Sequence, residues 1–144
     1  MAVTTTPSIT RVDGNDPSTT TEKLVEILKR DGGVVVENLI SKELAAQIKK
    51  DLKPEFDRDL PDKYGFFPET TQRATGLLGV SEACVELACN KHYIDVANAM
   101  VSSHYTFWRG DRQQTVSGKP IISTTAGFRV NPGGTQQVLH RDDK

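Results

Sequence analysis

Cysteine is scarce in this sequence of 144 residues, which contains Cys84 and Cys89 and no others. The two lie five positions apart in a segment with a helical pattern, so neither a disulfide framework nor the paired spacing of a zinc site is present. We expect both cysteines to be small side chains of the core.

Long apolar runs are missing as well. The longest ones, such as residues 34–36 and 121–122, are far shorter than the roughly 20 residues of a membrane-spanning helix. The first ten residues, MAVTTTPSIT, have neither the basic nor the apolar region of a signal peptide. We therefore expect a soluble, cytoplasmic protein with no membrane partner.

The chain also lacks an excess of charge of either sign. Eighteen Lys and Arg against nineteen Asp and Glu leave a formal net charge of -1. This balance gives no positive electrostatic field that would attract nucleic acid, so no nucleic-acid partner is expected. The content of 36% hydrophobic and 26% charged residues is that of a folded chain, and the length favours one domain.

Several functional motifs are absent. The glycine patterns GxGxxG and GxxxxGK[ST], which cradle phosphates, do not occur, and neither does the GxSxG elbow of serine hydrolases. No repeat of fixed period is visible. These absences argue against a nucleotide-binding domain, a serine hydrolase and a repeat protein.

The N-terminal region is predicted to contain a tail and a first helix. Residues 1–16 are rich in Thr, Ser, Asp and Pro without an apolar period, which predicts a mobile tail. From Thr20 onward, apolar residues recur at helical spacing until the Gly32-Gly33 pair, where a helix can end in a left-handed residue. The folded domain is therefore expected to span residues 17–144.

A strand, a second helix and a long loop are predicted next. The β-branched residues 34–36 favour a short strand, and Ser41 is a plausible N-cap for a helix that Pro54 should end. Residues 54–80 contain prolines, glycines and clustered aromatics without a sustained period, which predicts a long ordered loop.

The remaining sequence changes from helical to β-prone. Ser81 opens a helical stretch that is either two short helices or one bent helix. After His104, the segments YTFWRG, IISTTAGFRV and TQQVLHRDDK favour strands, and turn-rich sequence separates them. Phe107 and Trp108 are expected in the core. The fold class predicted from this order is α+β.

The candidate chemistry lies in the segment QQVLHRDD, residues 136–143. If this segment is a strand, His140 and Asp142 lie on one face with their Cα atoms roughly 6 to 7 Å apart. An imidazole and a carboxylate at this spacing supply two of the three ligands of the facial triad that holds non-haem Fe(II). The alternative is a solvated charged terminus with His140 beside it.

The run ISTTAGFRVNPGGTQQVLHRDD resembles the segment that leads into the iron site of the phytanoyl-CoA dioxygenase (PhyH) family, in particular its branch of secondary-metabolite enzymes. The shared features are a strand, a Pro-Gly turn and Gln-x-Leu-His-Arg-Asp. Upstream, DGGVVVENLISKELAAQIKKDL and PETTQRATGLLG are similar to that family's N-terminal elements. The resemblance covers about residues 20–144 and implies helices followed by the first strands of a double-stranded β-helix, or jelly roll.

The same resemblance implies a function. It is the Fe(II)- and 2-oxoglutarate-dependent oxidation of a small organic substrate by hydroxylation, desaturation or ring formation. By matching positions, His140 and Asp142 are metal ligands, and Gln137 contacts the co-substrate 2-oxoglutarate. Strict alternation along a strand would place Gln136, not Gln137, on the face of His140, so the assignment of Gln137 requires a local bulge.

Members of the family continue well beyond the His-x-Asp strand, and that continuation carries a distal histidine ligand and a basic residue for 2-oxoglutarate. We therefore expect an incomplete jelly roll and an incomplete site. His92 and His104 are expected to be structural, with His104 capping a helix end. The alternative function is a non-catalytic remnant that binds a partner through an unpaired strand edge, and a homodimer is a candidate assembly.

Overall fold

The computed structural model describes residues 8–61 and 64–140. Within these ranges the chain forms six strands and five helices. It divides into two compact units, a first unit of Met1–Leu44 and Glu86–Ile122 and a second unit of Ala45–Val85 and Ser123–Lys144. Among the helices in the described ranges, none has the length and apolar character that crossing a bilayer requires.

The first unit begins with strand β1 (Arg11–Asp13), helix α1 (Thr21–Asp31) and strand β2 (Val35–Glu37), and the two strands pair in parallel. The Thr20 side chain caps α1 by accepting from the backbone N–H of Lys23 at 3.3 Å. At the other end, Gly32 adopts a left-handed φ of 75° and its N–H donates to a carbonyl of the last turn. The predicted start and end of this helix are confirmed.

Strand β1 corrects the prediction of a tail through residue 16. The strand is only three residues long, too short to show an apolar alternation in the sequence. Its partner holds it in place: the Gly14 N–H donates to the Glu37 carbonyl at 2.7 Å, and Arg11 Nε lies 2.8 Å from Glu37 Oε1. The segment is therefore ordered by a contact across 26 positions of sequence rather than by its own composition.

The helical stretch after Ser81 was predicted as either two short helices or one bent helix. It contains two helices, α4 (Glu82–Ala88) and α5 (Lys91–Val101). The break falls at Asn90, whose side chain accepts from the backbone N–H of His92 at 3.0 Å and so caps α5. The Asn90 amide also donates to the Leu39 carbonyl at 3.0 Å. Helix α5 packs against α1, where Leu24 and Ile27 are buried.

Strands β4 (Ser103–Arg109) and β5 (Arg112–Gly118) form an antiparallel hairpin that pairs with no other described strand. Almost the whole hairpin is exposed. The placement of Phe107 and Trp108 in the core is therefore wrong, since they are 37% and 66% exposed. Tyr105 and Phe107 instead share one exposed face, with ring centroids 6.1 Å apart.

The exposed hairpin leads to a prediction about local stability. Its backbone hydrogen bonds face water on both sides, whereas α1 is capped at both ends and buries part of one face. Opening the hairpin thus exposes little further apolar surface, and we expect its amides to exchange much faster than those of α1. Hydrogen exchange followed by mass spectrometry checks this expectation. Equally slow exchange in β4, β5 and α1 at low protein concentration would contradict it.

The second unit is built around helix α2 (Lys42–Arg58), which enters it at Ala45, and the antiparallel pair of β3 (Thr71–Thr75) and β6 (Ala126–Val130). Helix α3 (Leu77–Val80) follows β3. Leu52, Ala74 and Cys84 are buried together. Four partly buried side chains pack around them: Ile48, Phe56, Leu77 and Leu78.

The packing of this core explains why the second helix is longer than predicted. The Ser41 hydroxyl caps it as predicted, accepting from the Leu44 N–H at 3.0 Å, but Pro54 lies inside the helix and does not end it. Proline in a helix interior costs about 3 kcal/mol because it removes a backbone hydrogen bond. Packing of Leu52 and Phe56, on either side of Pro54, outweighs that cost.

The predicted loop over residues 54–80 is also wrong in part. It includes the last turn of α2, strand β3 and helix α3. Strand β3, TQRAT, has one apolar residue in five. The sequence therefore shows no alternation of apolar residues that would predict a strand here. Of the two cysteines, Cys84 is buried as expected, whereas Cys89 is exposed.

Candidate metal centre

The segment that carries His140 leaves strand β6 through an anchored turn. The backbone N–H of Asn131 donates to the Thr70 carbonyl at 2.9 Å, and the Asn131 side-chain amide donates to the same oxygen at 3.1 Å. The Gly134 N–H closes the turn by donating to the Asn131 carbonyl at 3.3 Å. Gly133 has a φ of 93°, which favours glycine at this position. The exit from β6 is thus fixed against the residue that precedes β3.

Gly134 packs closely in this turn. A Cβ atom at this position would lie 2.9 Å from Val130 Cγ1 and 3.3 Å from Thr70 Oγ1. Real Cβ atoms essentially never approach another atom as closely as the first of these distances. A side chain at residue 134 would therefore require the Val130 side chain or the turn to shift.

Gln72 links the anchored turn to helix α2. Its side-chain oxygen accepts from Asn131 Nδ2 at 3.0 Å and from Arg129 Nε at 2.7 Å. Its side-chain nitrogen donates to the Phe56 carbonyl at 2.9 Å. The amide of Gln72 therefore connects the C-terminal end of β6 and the following turn to the C-terminal part of α2.

A charged pair supports the same connection. Arg129 Nη2 donates to Asp57 Oδ1 at 2.7 Å, and Lys53 also donates to this carboxylate. The Lys53 ammonium, and after it the Arg129 guanidinium, hold the pKa of Asp57 below its ordinary value. The Arg129 guanidinium also lies 5.3 Å from the centre of the Phe56 ring.

Residues 135–140 form neither helix nor strand, which corrects the prediction that QQVLHRDD is a strand for its described part. Val138 and Leu139 are almost completely exposed, and Gln136 and Gln137 are exposed as well. A strand requires a neighbour for its backbone groups, and this segment pairs with no described strand. Strand alternation therefore does not decide whether Gln136 or Gln137 lies on the same face as His140.

His140 is the last described residue of this segment. Its Nδ1 lies 2.8 Å from the carbonyl oxygen of Val138, two residues earlier. A carbonyl only accepts, so this contact fits a ring that carries a proton on Nδ1. Metal-ligating histidines commonly donate one ring N–H to a backbone carbonyl in this way. The use of His140 as a metal ligand stays a prediction.

The second predicted ligand, Asp142, lies outside the described residues. Within residues 8–61 and 64–140, no three His, Cys, Asp or Glu side chains come together as a metal-binding group. The pairing of His140 with Asp142, and the contact of Gln137 with 2-oxoglutarate, remain predictions.

The other two histidines have structural contacts. His92 Nε2 lies 3.2 Å from the Gly14 carbonyl, in agreement with its predicted structural role. His104 does not cap a helix end, because it lies within β4. Its Nδ1 is 2.8 Å from the hydroxyl of Ser117, the residue directly opposite it in β5, so the prediction of a cap is wrong.

Sequence reasoning identified the turn NPGG but missed the residues that hold it. Asn131, Gln72 and Thr70 meet across about 60 positions of sequence. A polar residue ahead of Pro-Gly is a local signal for a turn. The identity of its distant partners has no local signal.

Comparison with known proteins gives the following result. No protein-family model matches the chain. The chain is 36% identical over 122 residues to the dioxygenase himG of Aspergillus japonicus, covering 84% of this chain and 37% of the relative. It is 29% identical over 128 residues to the dioxygenase peniF of Penicillium patulum, covering 88% of this chain and 41% of the relative. It is 31% identical over 121 residues to the dioxygenase cnsJ of Penicillium expansum, covering 83% of this chain and 36% of the relative.

The chain therefore spans about two-fifths of the length of the curated relatives it matches. Most of its own length is involved in each match. The sequence is similar to fungal proteins that are named dioxygenases, and this similarity supports an oxidoreductase.

Proposed function

We propose that this chain forms part of a non-haem iron dioxygenase that oxidises a small organic substrate with Fe(II) and 2-oxoglutarate. The observation that carries the proposal is the contact of His140 Nδ1 with the Val138 carbonyl, in a His-x-Asp sequence that follows an anchored turn. The similarity to proteins named dioxygenases supports the class of reaction.

In this proposal, His140 Nε2 and the Asp142 carboxylate are the two ligands that this chain supplies. A proton on Nδ1, donated to the Val138 carbonyl at 2.8 Å, would make Nε2 the ligating nitrogen. The exposed amide of Gln137 would hydrogen-bond the co-substrate. His140 and Asp142 would help to hold Fe(II), which would supply the oxidising chemistry with 2-oxoglutarate and oxygen.

The proposed architecture is the N-terminal part of a jelly roll. The pairs β3–β6 and β4–β5 are antiparallel, as strands of a jelly roll are. In the described residues these pairs remain separate two-stranded sheets.

Metal titration tests the two ligands directly. We expect the 144-residue chain to bind Mn(II) or Co(II) weakly, and His140→Ala or Asp142→Ala to lower the affinity roughly tenfold or more, because each removes one of two protein ligands. His104→Ala and Asp143→Ala are the matched controls, and neither should change the affinity. Isothermal titration calorimetry measures all five proteins. Equal affinity in wild type and His140→Ala would remove His140 from the site.

A second candidate function follows from the exposed β4–β5 hairpin. Tyr105, Phe107 and Val116 share one exposed face, and neither edge of the hairpin is paired among the described strands. Such an edge can bind a strand of another chain, as in the non-catalytic alternative or in a homodimer. In the hydrogen-exchange experiment above, that function would appear as protection of β4 or β5 that increases with protein concentration.

A further inference from the structure

The β4–β5 hairpin carries two arginines directly opposite each other. Arg109 is the last residue of β4 and Arg112 is the first residue of β5, and they are cross-strand partners on either side of the turn Gly110–Asp111. Both arginines are exposed. Like charges that face each other across a strand pair destabilise it. An anion that binds to both guanidiniums would remove this repulsion.

The described part of the chain does not place an anion there. By the register of the hairpin, the face that carries Arg109 and Arg112 contains no Asp or Glu. Within residues 8–61 and 64–140, neither guanidinium takes part in an ion pair or a hydrogen bond, and this includes the nearby Asp111. Both guanidiniums are therefore open to a ligand.

Two aromatic rings continue the same face. Tyr105 and Phe107 alternate with Arg109 along β4, so the three side chains lie on one side of the hairpin. The ring centroids of Tyr105 and Phe107 are 6.1 Å apart, and both side chains are exposed. Phe107 is roughly 7 Å from Arg109 along the strand, a separation that a fused-ring aromatic acid can bridge. The face thus combines a paired positive charge with an adjoining apolar surface.

We infer that this face of the hairpin is a binding site for a small aromatic carboxylate. The carboxylate accepts hydrogen bonds from the Arg109 and Arg112 guanidiniums, whose planar N–H groups match its two oxygens. The aromatic body of the ligand lies against the rings of Phe107 and Tyr105. A ligand with a single charge agrees with the net charge of -1 of the chain, which does not attract a polyanion. The inference involves neither His140 nor Asp142, so it stands independently of the proposed function.

Titration with 2-naphthoate, followed by 15N–1H nuclear magnetic resonance of the 144-residue chain, tests the charged part of the site. We expect weak binding that shifts the amides of β4 and β5. Arg112→Gln and Arg109→Gln should each weaken it about fivefold or more, because each removes one of two charged donors. Lys119→Gln is the matched control, since it removes one exposed positive charge directly after β5 and should leave the affinity almost unchanged.

Two further comparisons test the aromatic part of the site. Phe107→Leu should weaken the binding of 2-naphthoate, whereas Trp108→Leu, on the opposite face of the same strand, should not. Acetate has the charge without the ring, and 2-naphthylmethanol has the ring without the charge. Both should bind at least about fivefold more weakly than 2-naphthoate.

Four results would overturn the inference. Equal weakening by Lys119→Gln and Arg112→Gln would show an attraction by general charge, and equal binding of 2-naphthylmethanol and 2-naphthoate would show that the arginines are not used. Tighter binding of oligothymidylate, with shifts of the same amides, would identify a nucleic-acid surface instead. Hairpin shifts that follow protein concentration and not 2-naphthoate would identify a contact between copies of this chain.

Discussion

A chimera that joins this chain to the unmatched remainder of the Aspergillus japonicus dioxygenase himG is expected to convert 2-oxoglutarate to succinate, and His140→Ala is expected to abolish that turnover. The remainder is needed because the chain matches only 37% of that relative. Loss of groups that merely orient a metal ligand costs 10- to 100-fold in activity, so loss of the ligand itself should cost roughly 100-fold or more.

The assay uses Fe(II), ascorbate and oxygen and follows succinate, which forms even when the organic substrate is unknown and absent. Asp142→Ala should behave like His140→Ala. His104→Ala should retain the rate of the unmodified chimera, because the His104 ring bonds to Ser117 across the β4–β5 hairpin and is not a proposed ligand. The 144-residue chain and free Fe(II) provide the background. Turnover that survives His140→Ala would exclude His140 as an iron ligand.

Leu52→Ala is expected to give the largest loss of stability of any single substitution proposed for this chain. Leu52 is 6% exposed at the centre of the core of the second unit, where it packs with Ala74 and Cys84. Replacing a buried leucine by alanine costs about 2–5 kcal/mol, from lost transfer free energy and the cavity left behind. Ala74 and Cys84 are small and cannot fill that space.

Urea unfolding followed by circular dichroism measures the free energy of unfolding. Leu60→Ala is the matched control, since Leu60 is 78% exposed and its side chain should contribute less than about 0.5 kcal/mol. A loss from Leu52→Ala as small as that from Leu60→Ala would show that this core does not stabilise the second unit.

The sequence predicted the features that depend on neighbouring residues. The helix start at Thr20, the left-handed end at Gly32 and the cap at Ser41 all arise from contacts within four positions. Strand β1 and the continuation of α2 through Pro54 depend on partners far along the chain. Local pattern carries no information about such partners, and both features were missed for that reason.

In the candidate site, too, local features were predicted from the sequence and features that depend on distant residues were not. The spacing of His140 and Asp142 predicted a metal site, and this stays a prediction because Asp142 lies outside the described residues. The prediction of a strand around His140 was wrong. The backbone groups of a strand need hydrogen-bonding partners on a neighbouring strand, and none of the described strands pairs with this segment. The link from Asn131 to Thr70 joins residues 61 positions apart and could not be foreseen.

The contrast between the two cysteines gives the chain two chemical reporters. Cys89 is exposed and lines a shallow cleft with Leu39 and Leu44, so a maleimide dye should attach there in the native state. Cys84 is buried beside Leu52 and should react only when the second unit opens. The rate at which a second equivalent of alkylating reagent is consumed would thus time the opening of that core, without any engineered label.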